Sequence, residues 1–139
     1  MTHFTIHADG GSRGNPGPAG SGAVVRDHLG NIVGTVSEFL GTRTNNFAEY
    51  EAVILAFGVL AKLVEGRVGQ TEVEVKMDSE LVVKQMKGIY KVKHPTMKEQ
   101  YARLMQAAGG FKKVSFTHVP RAQNSDADAL ANEAMDRGN

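Results

Sequence analysis

The stretches TNNFAEYEAVILAFGVLAKLVEG, Thr44 to Gly66, and EVEVKMD, Glu72 to Asp78, decide the fold. In the first, Tyr50, Val53, Ile54, Phe57, Leu60, Ala61 and Val64 recur at the spacing of one helical face, and Gly66 ends the run. In the second the period drops to two: Val73, Val75 and Met77 alternate with Glu72, Glu74, Lys76 and Asp78, as in a strand buried on one face. A long helix leading into a strand is a crossover connection, so this strand runs parallel to an earlier one.

Upstream, Phe4, Ile6 and Ala8 alternate with Thr5, His7 and Asp9, which predicts a first strand with Asp9 at its C-terminal end. Residues Gly10 to Gly22 hold six glycines and two prolines and read as a loop. Strands follow at Ala23 to Arg26 and Ile32 to Leu40, joined through Asp27-His28-Leu29-Gly30-Asn31, giving an antiparallel meander of three strands. Downstream lie a short helix from Ser79 to Lys87 and a helix opened by Pro95 and stopped by Gly109-Gly110. Val114 to His118 is a fifth strand, and a last helix runs from Ser125 to Arg137. The order β-β-β-α-β-α-α-β-α predicts an α/β protein with a five-stranded mixed sheet: an antiparallel meander of strands 1 to 3, then parallel strands 4 and 5, flanked by helices. Met86, Met97 and Met105 are expected in the core.

At 139 residues the chain is expected to form one domain over 1–139. Its composition, 41% hydrophobic and 22% charged, excludes a disordered chain. The absence of cysteine excludes a disulfide framework, a thiolate metal site and a cysteine nucleophile. No long apolar run or secretory pattern is present at Met1-Thr2-His3-Phe4, so no membrane association is expected and the cytoplasm is the expected compartment. Net charge is only +1, yet Lys84, Lys87, Lys91, Lys93 and Lys98 with His94 occupy a stretch without a carboxylate. That local cationic run suits phosphate or an ordinary solvated surface.

Ligand sites in open α/β sheets form beyond the carboxyl ends of parallel strands, and Asp9 and Asp78 end two strands that the topology makes neighbours. Glu49, early in the long helix, and Asp128, early in the last, can join them. Four carboxylates at one edge repel unless a cation lies between them. Hard oxygen ligands suit Mg²⁺ or Mn²⁺. Each acid also has an ordinary structural use. Asp9 could be a turn residue and Asp78 an N-cap, while Asn46-Phe47-Ala48-Glu49 and Ser125-Asp126-Ala127-Asp128 fit capping boxes.

The segments Asp9 to Gly20, Thr44-Asn45-Asn46-Phe47-Ala48-Glu49-Tyr50, Asp78-Ser79 and Asn124-Ser125-Asp126-Ala127-Asp128-Ala129-Leu130-Ala131 together resemble type 1 ribonuclease H, in the same order and across Phe4 to Met135. The resemblance implies the ribonuclease H-like fold and endonucleolytic cleavage of the RNA strand of RNA/DNA hybrids. The products would carry 5′-phosphate and 3′-hydroxyl ends. It implies two Mg²⁺ ions, with Mn²⁺ as a substitute, held by Asp9, Glu49, Asp78 and Asp128 as the catalytic and metal-binding set. Gly10, Gly11, Ser12, Arg13, Asn15, Thr44, Asn45 and Asn46 are implied as substrate contacts, Thr44 toward a phosphate of the DNA strand. Lys84, Lys87, Lys91 and Lys93 are implied as basic contacts.

Three departures stand out. The chain has no tryptophan, and only Ile89-Tyr90 stands where many members carry a longer basic protrusion. The loop before Asp128 reads Val119-Pro120-Arg121-Ala122-Gln123-Asn124, so it is similar to the subgroup with arginine in place of histidine, and Arg121 is a phosphate-contact candidate. Glu80 replaces the glutamine that commonly follows Asp78-Ser79. The expected partner is an RNA/DNA hybrid, with double-stranded RNA a second candidate and a monomeric state expected. The competing readings are a non-catalytic hybrid or double-stranded RNA binding module, and another nuclease of the same broad fold.

Overall fold

The computed structural model describes residues 2–139. Strands β1 (His3–Ser12), β2 (Gly17–Arg26) and β3 (Ile32–Arg43) are followed by helix α1 (Asn45–Leu63), strand β4 (Glu72–Met77) and helices α2 (Glu80–Met86) and α3 (Pro95–Ala108). Strand β5 (Lys113–His118) and helix α4 (Ser125–Arg137) complete the chain. The sheet order is β3-β2-β1-β4-β5. The meander β3-β2-β1 is antiparallel, β4 runs parallel to β1, and β5 parallel to β4. This is the mixed sheet that the period change between Thr44 and Asp78 requires.

The core follows the same periodicities. Phe4, Ile6 and Ala8 on β1 and Val73, Val75 and Met77 on β4 are buried, and α1 adds Tyr50, Val53, Phe57 and Leu60. Ile54 and Ala61 are only partly buried against this core. A second stripe on α1, Ala48, Ala52 and Ala56, is fully buried, and these short side chains let the helix sit close to the sheet. Helix α3 locks onto α1 through Glu51, which accepts from Gln100 Nε2 at 3.0 Å and pairs with Arg103. Met97 is buried and Met86 packs partly against the core, but Met105 is 47% exposed, so it is not the core residue its helical position suggested.

The glycine-rich segment corrects the reading of Gly10 to Gly22 as a loop. Both flanks are strand, leaving only residues 13–16 as the turn, with a cis peptide bond between Asn15 and Pro16. The glycines are there because helices cross them. A Cβ on Gly10 would lie 2.2 Å from the Ala48 carbonyl carbon, and one on Gly22 would lie 2.3 Å from the Ala127 oxygen. Helices α1 and α4 therefore rest on bare backbone. Asp9 consequently lies within β1 rather than at its end. What ends there is the parallel ladder, whose last pair is Ala8 with Met77.

Candidate active site

Where β1 and β4 part, Asp9 on β1 and Asp78 just after β4 stand one residue past the last rung of the ladder. Glu49 enters from α1 and Asp128 from the first turn of α4. All four acids line one open cavity of about 480 Å³, together with Gly10, Gly11, Ser12, Arg13, Asn45, Asn46 and Arg121. Ala131, Asn132 and Met135 of α4 complete the wall.

None of the alternative capping uses is realised. Thr44 caps α1, its hydroxyl accepting from Phe47 N at 3.2 Å, so Glu49 lies beyond the capping position. Ser79, not Asp78, caps α2 by accepting from Val82 N. At the start of α4 no side chain caps the helix, and Asp128 is free of that duty.

Burial dominates the electrostatics of the acids, and their mutual repulsion adds to it. Burial pushes the Asp9 carboxyl up to about 8, and the Asp78 charge and the adjacent Asp128 push the same way. Its own neighbour Gly10 opposes this, donating its N–H to Asp9 Oδ1 at 2.9 Å. Burial raises Glu49 to about 7, with Ser79 pulling it partly back and Asp78 adding to the rise. The cation nearest this cluster is Arg121, whose Nε lies 3.6 Å from Asp78 Oδ2 while its side chain is 87% exposed.

The donor set is all oxygen, which fits a hard divalent cation. Among the described residues no three histidine, aspartate or glutamate side chains are already gathered around one point. The acids line the cavity wall as separate ligands, and it is their chemistry and shared cavity that fit metal binding.

The amides beside the acids are partly committed to the fold. Asn45 Oδ1 accepts from the Ser12 N–H at 2.7 Å and from the Ser12 hydroxyl at 3.0 Å, tying α1 to the end of β1. Asn15 Oδ1 accepts from the Asn45 N–H at 3.1 Å, satisfying one of the free donors of the α1 N-terminus. In both residues the oxygen is engaged, leaving the NH₂ group for a ligand. Asn15, Thr44 and Asn46 line a second, adjacent cavity of about 240 Å³ with His94, Thr96 and Met97. Arg13 is paired with Asp136 of α4.

The four lysines do not line the acid cavity. Lys84 pairs with Glu80 at 3.2 Å and lies 5.1 Å from the Tyr90 ring centroid, whereas Lys87, Lys91 and Lys93 are exposed. Two contributors escaped the sequence. His94 counted there only as part of a cationic run, and Asn124 passed as a loop residue, yet it is 1% exposed and donates to Asp78. It opens the Asn124-to-Ala131 segment that resembles type 1 ribonuclease H, but no role of its own was read from it there.

Comparison with known proteins identifies the family. Residues 7–134 match the family model described as reverse transcriptase-like. The chain is 48% identical over 133 residues to a bifunctional protein of Mycobacterium tuberculosis, covering 94% of this chain and 35% of that protein. It is 44% identical to the ribonuclease HI of Halobacterium salinarum, covering 94% of this chain and 64% of that protein. The chain thus spans about a third of the length of the mycobacterial relative and less than two thirds of the archaeal one. The crystal structure of LC11-RNase H1, a protein isolated from compost by a metagenomic approach, in complex with an RNA/DNA hybrid superimposes with a TM-score of 0.91 at 47% identity. That match covers 96% of this chain and 97% of that one. By family model, sequence and fold, the chain belongs to the reverse transcriptase-like family, as a ribonuclease H-like domain.

Proposed function

We propose that the chain is an endoribonuclease that hydrolyses the RNA strand of RNA/DNA hybrids, leaving 5′-phosphate and 3′-hydroxyl ends. The observation that carries this reading is the gathering of Asp9, Glu49, Asp78 and Asp128 in one open cavity beside the amides of Asn45 and Asn46. Acids alone suit many metal-dependent hydrolases. The amides add donors of the kind that distinguish a 2′-hydroxyl strand in a shallow groove.

Asp9, between Asp78 and Asp128, would share two Mg²⁺ ions, or Mn²⁺ in their place. Asp128 would complete one site, and Glu49 with Asp78 the other. When bound, such a pair activates a water and neutralises charge on the leaving 3′ oxygen. The chain's residues prepare the site. Asp9 and Glu49, raised by burial, would hold the cations in their ionised form, so metal affinity would rise with pH. Gly10, Gly11 and Ser12 let the backbone come close to the RNA, and the NH₂ groups of Asn15, Asn45 and Asn46 donate to it. Thr44, which lines the second cavity, would contact a phosphate of the DNA strand there. Arg121 takes a backbone phosphate, its exposed guanidinium leaving Asp78 to do so. Arg13 has its partner in Asp136, so it assists contact only by exchanging that pair. The domain acts as a monomer in the cytoplasm on this reading. Lys84, Lys87, Lys91 and Lys93 hold the DNA backbone outside the cavity.

The test is a gel assay with end-labelled RNA in a hybrid, run with Mg²⁺, Mn²⁺ or EDTA beside single-stranded RNA, double-stranded RNA and duplex DNA. Metal-dependent internal cleavage confined to the hybrid is expected. Binding without cleavage would make the chain a hybrid-binding module, and cleavage of DNA would move it to another branch of the fold.

A further inference from the structure

Asn124 occupies the N-cap position of α4 yet makes no side-chain cap hydrogen bond. Its amide is used elsewhere. Nδ2 donates to the Ala8 carbonyl at 2.8 Å and to Asp78 Oδ1 at 3.0 Å. Both partners are acceptors, so the orientation of the amide is fixed by its surroundings. Oδ1 is left buried without a hydrogen-bond partner. A buried carbonyl with no donor costs stability that a smaller or apolar residue would avoid. The position is therefore held by what the nitrogen does.

That nitrogen stands where the sheet stops helping. The β1–β4 ladder closes at Ala8 and Met77, and the residue after each is a site acid, Asp9 and Asp78. Asn124 bridges the Ala8 carbonyl to the Asp78 carboxylate, a side-chain rung one step beyond the last backbone pair. It fixes Oδ1 of Asp78, while Oδ2 pairs with the exposed Arg121 at 3.6 Å.

We propose that Asn124 is a positioning residue that sets the Asp78 carboxylate relative to Asp9 for divalent-cation binding. The inference rests on the metal-dependent reading of the site. Removing such an outer partner lowers metal affinity by about 10- to 100-fold.

The experiment is calorimetric titration of Mn²⁺ into the metal-free chain without nucleic acid, for the wild type, Asn124→Ala, Asp78→Asn and the double variant. Asn124→Ala should melt cooperatively and bind Mn²⁺ about 10-fold or more weakly, with no further loss from adding it to Asp78→Asn. A folded Asn124→Ala that binds as the wild type does, or an undiminished loss in the Asp78→Asn background, would overturn the proposal alone. A wild type that takes up no Mn²⁺ would overturn it together with the catalytic reading. A second measurement needs no variant. The Asn124 side-chain amide resonances of the wild type should move with metal saturation, and unmoved resonances at saturating Mg²⁺ would count against the role.

Discussion

Burial first, and the charges of its acidic neighbours second, hold a proton on the Asp9 carboxyl. Its folded value of about 8 against an ordinary 3.8 means that the metal-free fold keeps a proton that the unfolded chain gives up. Below pH 4 both states hold the proton and nothing is lost. Between about 4 and 8 the unfolded chain releases it first, so stability falls as pH rises, and above 8 the full penalty is present. Glu49 adds a similar fall that ends near 7. Asp9→Asn should therefore abolish metal-dependent cleavage while stabilising the metal-free protein by roughly 1–3 kcal/mol at pH 8, the gain fading toward pH 4. Thermal melts in EDTA across that range test it, and a gain independent of pH would exclude the linkage. The meeting of the four acids in one cavity was legible because strand alternation, helix starts and motif spacing mark them, although Asp9 lies within β1 and not at its end. Asn124 was not, because its role depends on an unfilled cap and on a carboxylate 46 residues earlier, which only the fold brings within 3.0 Å. Asn15 and Thr44 show the converse: the family resemblance implies contact with a ligand, while their oxygens are already capping α1.

Among the elements, the glycines of β1 and β2 were the hardest to read. Composition alone makes Gly10 to Gly22 a loop, because glycine and proline are turn residues. Periodicity could not correct this, since a residue without a side chain marks no face. Their meaning appears only once α1 and α4 lie across them, and it is testable against a glycine that nothing touches. Gly22→Ala drives a Cβ to within 2.3 Å of the Ala127 carbonyl oxygen and should cost about 3 kcal/mol, near the upper end for overpacking, because backbone must move. Gly58 lies exposed in the interior of α1 with nothing within 4 Å of its Cβ position. Gly58→Ala should stabilise the chain by about 0.5–1 kcal/mol through helix propensity. Urea unfolding of the two variants separates close approach from ordinary flexibility, and equal shifts would refute the packing account. The helices and β4 were legible for the opposite reason, since α1 and β4 write their buried faces directly in large apolar side chains.

At the scale of the molecule, a net charge of +1 conceals an uneven distribution, and hybrid binding should depend on that distribution. The chain after α2 is anchored to the core by Tyr50, whose buried hydroxyl donates to Gln85 Oε1 at 2.6 Å, with Gln85 Nε2 reaching the Lys91 carbonyl at 3.5 Å. Lys91 and Lys93 are thus carried on an anchored segment with their side chains in solvent. Lys84 is different, because Glu80 already neutralises it. Each free lysine that meets a phosphate releases counterions, so Lys91→Ala and Lys93→Ala should each flatten the salt dependence of hybrid binding by about 0.7–0.9 in the log–log slope. They should raise KM and leave kcat unchanged, since neither residue lines the acid cavity. Lys84→Ala should change the slope less, and Glu80→Gln, by freeing Lys84, should steepen it. Fluorescence anisotropy with a labelled hybrid across a salt series, in EDTA to prevent cleavage, reads these slopes directly. If Lys91→Ala and Lys93→Ala leave the slope untouched, the DNA strand does not cross this segment, and phosphate contact must come from the Thr44 and His94 cavity instead.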